Sequence, residues 1–250
     1  MELTVLGAQG TWPGAGGENC GYLVTHDGYH LQVDAGTGTF ARLQQVVGVD
    51  EVGAMLITHG HPDHFVDIIP TFYARHYGGL GEPGLPFWSP GGFTDIAANL
   101  VSENGRNVMA EAYDFRTAAA GDVFELGPFR ITAFEMQHIG VLSLGYRIEA
   151  GGVVLAYTGD TGPCEEAVKL AHESDLFLCE ATYQNHSRLY PFHLSAAQAA
   201  EMASASGVDH LVLTHLTPEL DHRTSIIEAA AKFAGPIDIA VPGMVLQVGR

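Results

Sequence analysis

Three histidines and an aspartate crowd into six residues of the segment Thr58-His59-Gly60-His61-Pro62-Asp63-His64. Imidazole nitrogens and a carboxylate at that density make a ligand set for Zn²⁺ or a similar first-row cation. Histidines two apart cannot share one face of a helix, so an extended turn must present them, and Pro62 stiffens it. Farther along, His138 follows an apolar run ending at Met136, Asp160 follows Leu155-Ala156-Tyr157-Thr158-Gly159, and His215 follows Leu211-Val212-Leu213-Thr214. Taken singly, each reads as a polar loop residue. Taken with the first loop they make five histidines and two aspartates, enough for two metal ions sharing a carboxylate.

The elements that must position these groups follow from periodicity and turn residues. Residues 3–6, 21–25 and 29–33 read as strands, with His26-Asp27-Gly28 as a hairpin turn. Helical spacing covers 36–47, a short apolar strand over 54–58 delivers the chain into the histidine loop, and a helix is expected from 64 to 77. The glycine- and proline-rich stretch 78–92 reads as a loop anchored by Phe87 and Trp88, forming a rim near the site. Strands are expected over 123–126, 129–136, 142–148 and 153–157. Helices over 164–172, 195–205 and 224–234 then alternate with strands over 175–179, 210–214 and 237–240. Ser195 and Gln198 have the spacing of a capping box. Both halves read as strands followed by α/β units, which predicts one α/β domain over 1–250 with two similar sheets facing each other and helices outside.

Composition bounds the partners. With 46% hydrophobic residues in 250, a substantial core is available. Lys+Arg 11 against Asp+Glu 29 gives a formal charge of -18, which opposes a long nucleic-acid footprint. Cys20, Cys164 and Cys179 are odd in number and lack a CxxC spacing, so reduced thiols are expected. No secretory leader or membrane-length apolar run is found, so the expectation is a cytoplasmic protein without a membrane partner.

The loop from His59 to His64 matches the HxHxDH motif of the metallo-β-lactamase superfamily, and His138, Asp160 in Thr-Gly-Asp-Thr, and His215 follow in that family's order. The resemblance spans Asp34 to His215. It implies an αβ/βα four-layer sandwich with a dinuclear centre at the sheet edges. It further implies that one ion takes His59, His61 and His138, the other takes Asp63, His64 and His215, Asp160 bridges them, and Asp34 orients a ligand histidine. The ions would be Zn²⁺, with Mn²⁺ or Fe²⁺ as alternatives.

Two further segments resemble the ribonuclease Z-like branch. Cys179-Glu180-Ala181-Thr182 resembles its HEAT segment with cysteine in the histidine place, and His193-Leu194-Ser195 resembles its HST segment with leucine in the middle. The resemblance makes Glu180 and His193 a pair that protonates the departing oxygen of a phosphodiester, and physical logic agrees: an alkoxide needs a proton, which a histidine kept cationic by a carboxylate can give. Asp63 would orient the attacking water, and Arg188 would bind a phosphate oxygen. Ribonuclease Z inserts a tRNA-gripping arm between the equivalents of His138 and Asp160, whereas here strands are expected there, and residues 79–93 carry no basic side chain. The expectation is therefore a phosphodiesterase for small substrates such as cyclic nucleotides, without a tRNA exosite, in a homodimer as the family suggests. A lactone, thioester or β-lactam hydrolase of the same fold, or a non-catalytic metal sensor, stands as the alternative.

Overall fold

In the computed structural model of the protein, which describes residues 1–102, 104–185 and 190–249, Asp27 and Gly28 both adopt left-handed backbone, with φ 47° and 75°. A two-residue hairpin demands that geometry, and it joins the second and third strands as expected. The chain opens with β1 (Glu2–Gly7), β2 (Gly21–His26), β3 (Tyr29–Val33), β4 (Val52–Leu56), β5 (Leu85–Pro90) and β6 (Tyr113–Ala118). It continues with β7 (Val123–Leu126), β8 (Phe129–Met136), β9 (Ser143–Ala150), β10 (Val153–Tyr157), β11 (Leu176–Glu180), β12 (Leu211–Thr214) and β13 (Ile237–Ile239), then closes with β14 (Val245–Gln247). The sheets are ordered β14-β1-β2-β3-β4-β5-β6 and β13-β12-β11-β10-β9-β8-β7.

Period-2 alternation decides which face each side chain takes. Val5, Tyr22, Val24, Ala54 and Leu56 join Phe129, Ile131, Tyr146, Ile148 and Leu178 in the core between the sheets. Their neighbours Leu6, Leu23, Met55 and Ile57 point the other way, onto helices α1 (Thr39–Leu43), α2 (Pro62–Phe65), α3 (Ile68–His76), α4 (Phe93–Asn99) and α5 (Gly105–Met109). On the far side, α6 (Glu165–Ala171), α7 (Ala196–Ser206) and α8 (His222–Ala230) cover the second sheet. The result is the four-layer sandwich, each fully buried Phe, Leu or Ile contributing about 1.5–3 kcal/mol of transfer free energy. Ser195 caps α7 through the expected box with Gln198. Asp221, three residues before the expected start of α8, caps it by accepting from the Arg223 and Thr224 amides.

Several expectations need correction. The stretch 78–92 is not all loop, because β5 runs through it between β4 and β6. Its ladder with β4 comprises Phe87 and Trp88, so Pro86 and Pro90 flank that pairing rather than break it. The helix expected over 36–47 shrinks to α1, which starts after Gly38 at φ 91°. The helix expected over 64–77 is two, because the Asp67 amide bonds to the Ala35 carbonyl instead of continuing the helical ladder. β6, α4, α5 and β14 had no forecast. Two strands, β9 and β10, do fill the segment between His138 and Asp160. Among the described residues no helix is long and apolar enough to cross a membrane.

Strands β3 and β4 run parallel, as do β10, β11 and β12. β8 is antiparallel to β9 and β9 to β10, so β8 shares the direction of β10. Asp34, Thr58-His59, His138, Asp160, Glu180 and His215 therefore all emerge from carboxyl ends of strands, where α/β sheets leave a crevice for ligands.

Candidate metal centre

Asp34 organises the floor of this crevice. It follows β3 with φ 57°, a left-handed backbone that a non-glycine residue holds only where its surroundings over-determine it. Those surroundings are four donors: the Thr58 amide at 2.8 Å, the Thr58 hydroxyl at 2.9 Å, Nδ1 of His64 at 2.8 Å and the Tyr157 hydroxyl at 2.8 Å. The Thr58 oxygen in turn accepts from Nδ1 of His59 at 3.1 Å. Elsewhere Nδ1 of His138 donates to the Phe192 carbonyl at 3.1 Å, and Nδ1 of His215 to the Thr182 hydroxyl at 2.8 Å. With Nδ1 carrying the proton, Nε2 of His59, His64, His138 and His215 is left as a lone pair.

Those lone pairs converge on Asp160. Its Oδ2 lies 3.7 Å from Nε2 of His59 and 3.7 Å from Nε2 of His138. Its Oδ1 lies 3.1 Å from Nε2 of His64 and 3.2 Å from Nε2 of His215. His61 joins the first set through Nδ1, 2.9 Å from Nε2 of His138, and Asp63 joins the second through Oδ2, 3.3 Å from Nε2 of His215. Ligand atoms of His59, His61, His138 and Asp160 fall within 4.8 Å of one another, and so do those of Asp63, His64, Asp160 and His215. Nε2 of His59, Nε2 of His64 and Oδ1 of Asp160 are buried without hydrogen-bond partners. Unpaired buried polar atoms are costly, and three aimed at one place fit cations coordinated on each side of Asp160.

Charge agrees with that fit. Burial pushes His59, His61 and His138 below the ordinary histidine range, which keeps them in the neutral form that binds metal. Burial would also lower His64, but Asp160, Asp34 and Asp63 raise it further, so three carboxylates converge on a spot that calls for positive charge. Cys20 lies within ligand reach of His64 and His215. Its thiol is pushed up to about 12 by burial and stays protonated, so it is a poor ligand.

Beside the second set lies the Glu180–His193 pair. Glu180, at the end of β11, is fully buried. Its Oε1 accepts from the Thr161 amide at 2.8 Å and from Nδ1 of His193 at 2.9 Å, and its Oε2 from the Thr182 hydroxyl at 2.7 Å and the Leu194 amide at 3.1 Å. Burial pushes His193 down, but the Glu180 carboxylate more than reverses this and raises it to about 9. The imidazole is a cation at neutral pH. Its ring stacks on His215 with centroids 5.5 Å apart, and its Nδ1 lies 4.0 Å from Oδ2 of Asp160.

The structure thus brings together ten of the eleven residues singled out from the sequence. The exception, Arg188, lies outside the described residues, as does its neighbour His186. Two contributors were missed. The Thr11 amide donates to Oδ2 of Asp63 at 2.8 Å, from a β-branched residue with φ 59°. The Thr182 hydroxyl gives its proton to Glu180 and accepts one from His215, joining the acid pair to the metal set through one atom. The HEAT-like segment held that threonine, but nothing in the sequence showed where its oxygen would lie.

Two expected outcomes arise here. Asp34→Ala strands four donors in a buried place, and a loss of about 3–5 kcal/mol in urea unfolding with a chelator present is expected. A loss below 1 kcal/mol would mean that water replaces the carboxylate. Thr182→Val keeps the side-chain shape but frees the His215 ring, and metal affinity measured by chelator competition is expected to fall about 10–100-fold. An unchanged affinity would show that His215 is held by packing alone.

Residues 29–216 match the family described as Beta-lactamase superfamily domain. The Mycobacterium tuberculosis protein Rv1339 is 32% identical over 261 residues, covering 100% of this chain and 93% of its own. The probable metallo-hydrolase YhfI of Bacillus subtilis is 28% identical, covering 99% of this chain and 100% of its own. The crystal structure of YhfI superposes with a TM-score of 0.89 at 26% identity, covering 98% of each chain. Ribonuclease Z of Mycolicibacterium gilvum is 30% identical, covering 88% of this chain and 85% of its own.

Proposed function

The chain belongs to the metallo-β-lactamase superfamily of metal-dependent hydrolases, and on that premise we propose that it cleaves small phosphodiesters, cyclic nucleotides first among them, at a dinuclear centre held by His59, His61, His138, Asp63, His64, His215 and the bridging Asp160. The observation that carries this reading is the 2.9 Å contact between Glu180 and His193 beside that cluster. A thiolate leaves a thioester without an acid, whereas the alkoxide leaving a phosphodiester needs a proton, which this buried carboxylate-imidazolium pair is placed to give. The similarity to a ribonuclease Z supports the same bond type, while the charge of -18 and the strand-filled segment between His138 and Asp160 favour small substrates over tRNA.

Two divalent ions, Zn²⁺ by the nitrogen-rich donor set, would acidify a water and offset charge on the phosphoryl oxygens. The chain's own residues do the rest. Oδ2 of Asp63, oriented by the Thr11 amide, faces Nε2 of His215 across the second set, and its other oxygen would orient the attacking water. His193 commits Nδ1 to Glu180 and presents Nε2–H to the leaving oxygen, while Glu180, fixed by its amide and hydroxyl donors, holds the imidazole protonated until the bond breaks. The test is metal analysis followed by hydrolysis of bis(p-nitrophenyl) phosphate, 2′,3′- and 3′,5′-cyclic nucleotides, a lactone, a thioester and a β-lactam. Turnover confined to the last three would overturn the reading.

A further inference from the structure

The edge that carries the metal set has two ends. At one, β1 leads to Thr11 on Asp63, and Gln9 bridges to Leu216 just past His215. At the other, the exits of β5 and β8 enclose a cavity of about 250 Å³, lined by Gly60, Pro90, Phe93, Ile96, Val141 and Leu142 together with glycines 91, 92 and 140. Gly60 lies between the ligands His59 and His61, and Gly140 is two residues past His138, so the cavity wall is continuous with the loops of the first metal set.

Its lining carries no charged or polar side chain, in a protein of charge -18. Its polar atoms are backbone groups only, so a phosphate oxygen there would meet no charged side chain, whereas an uncharged ring could rest on the aliphatic side chains and turn its polar edge to the backbone. Ile96 and Leu142, both in the lining, are each 39% exposed, aliphatic side chains left open beside an otherwise polar centre. Such a patch at the rim of a site is what a ligand covers. Ile96 is set close against the loop backbone, since a Cβ on Gly60 would stand 2.9 Å from its Cδ1.

We propose that this cavity is the specificity pocket, taking the uncharged flat ring of the substrate, the nucleobase in a cyclic nucleotide, with Ile96 and Leu142 as the residues that select it. The identity of the ring rests on the phosphodiesterase reading; the apolar pocket does not.

Adenosine, which has the ring and no phosphate, separates the two. In protein with ¹³C-labelled isoleucine methyl groups, adenosine is expected to shift the Ile96 δ-methyl resonance saturably, and ribose at equal concentration to leave it in place. Ile96→Arg is expected to lower kcat/KM about tenfold or more on 3′,5′-cyclic AMP, within the range one apolar contact can discriminate. On methyl riboside 3′,5′-cyclic phosphate, the same diester without a base, it should change less than twofold. Leu142→Arg, from another part of the lining, should give the same ratio if the first variant folds poorly. Equal losses on both diesters, or an Ile96 methyl that ignores adenosine, would overturn the pocket. If the wild-type protein cleaves neither diester, the phosphodiesterase reading falls, and the methyl titration alone decides the pocket.

Discussion

His193→Ala is expected to bind metal as the wild type does and to hydrolyse bis(p-nitrophenyl) phosphate within a few-fold of its rate, yet to lose about 10²–10⁴-fold on a cyclic nucleotide. The split follows from where the proton is needed. Nitrophenolate leaves as a stable anion and gains little from an acid, while a ribose alkoxide must be protonated as it departs. On the proposed mechanism His193 serves that step: its Nδ1 is bound to Glu180 at 2.9 Å, and its ring stacks on His215. Glu180→Gln should show the same selectivity, because the amide cannot supply the charge that raises His193. Unactivated diesters cleaved at the wild-type rate by His193→Ala would assign the acid elsewhere, and equal losses on both substrate types would make His193 a structural support of the centre.

What could be read from the sequence was whatever lay close together in the chain or repeated with a clear period. The ligands from His59 to His64 are nearly consecutive, so their density alone announced a metal. His138, Asp160 and His215 were legible because each ends an apolar run, and the hairpin at Asp27-Gly28 because two residues of its chemistry rarely do anything else. β5 was not legible, since six residues with two prolines resemble a loop until β4 and β6 lie on either side. The role of Thr182 was hidden for a different reason. Its hydroxyl matters because β11 and β12 pair in a register that sets Glu180 opposite Thr214, bringing the next turn of each strand into contact. A side chain that acts through two partners, one of them 33 residues away, leaves no local trace. The split into two sets was likewise supplied by resemblance, and in the structure one oxygen of Asp160 faces His59 and His138 while the other faces His64 and His215.

That arrangement makes Asp160 the most exacting position in the centre. Asp160→Asn preserves volume and backbone but replaces one of the two oxygens by an amide nitrogen, which cannot coordinate. Whichever way the amide turns, it faces either His59 and His138 or His64 and His215 with a donor in place of a ligand. It also removes a carboxylate that His215 and His64, against the effect of burial, hold well below the usual carboxylate range. The expected result is a fall from two ions per chain to one or none after dialysis, measured by elemental analysis. Activity should fall by more than the roughly 100-fold that marks loss of a group supporting a ligand rather than being one. His61→Ala offers the contrast, because it touches one set only and should weaken one ion while the other is retained. Two ions kept at wild-type affinity by Asp160→Asn would show that the carboxylate does not bridge, and that the two sets bind independently of it.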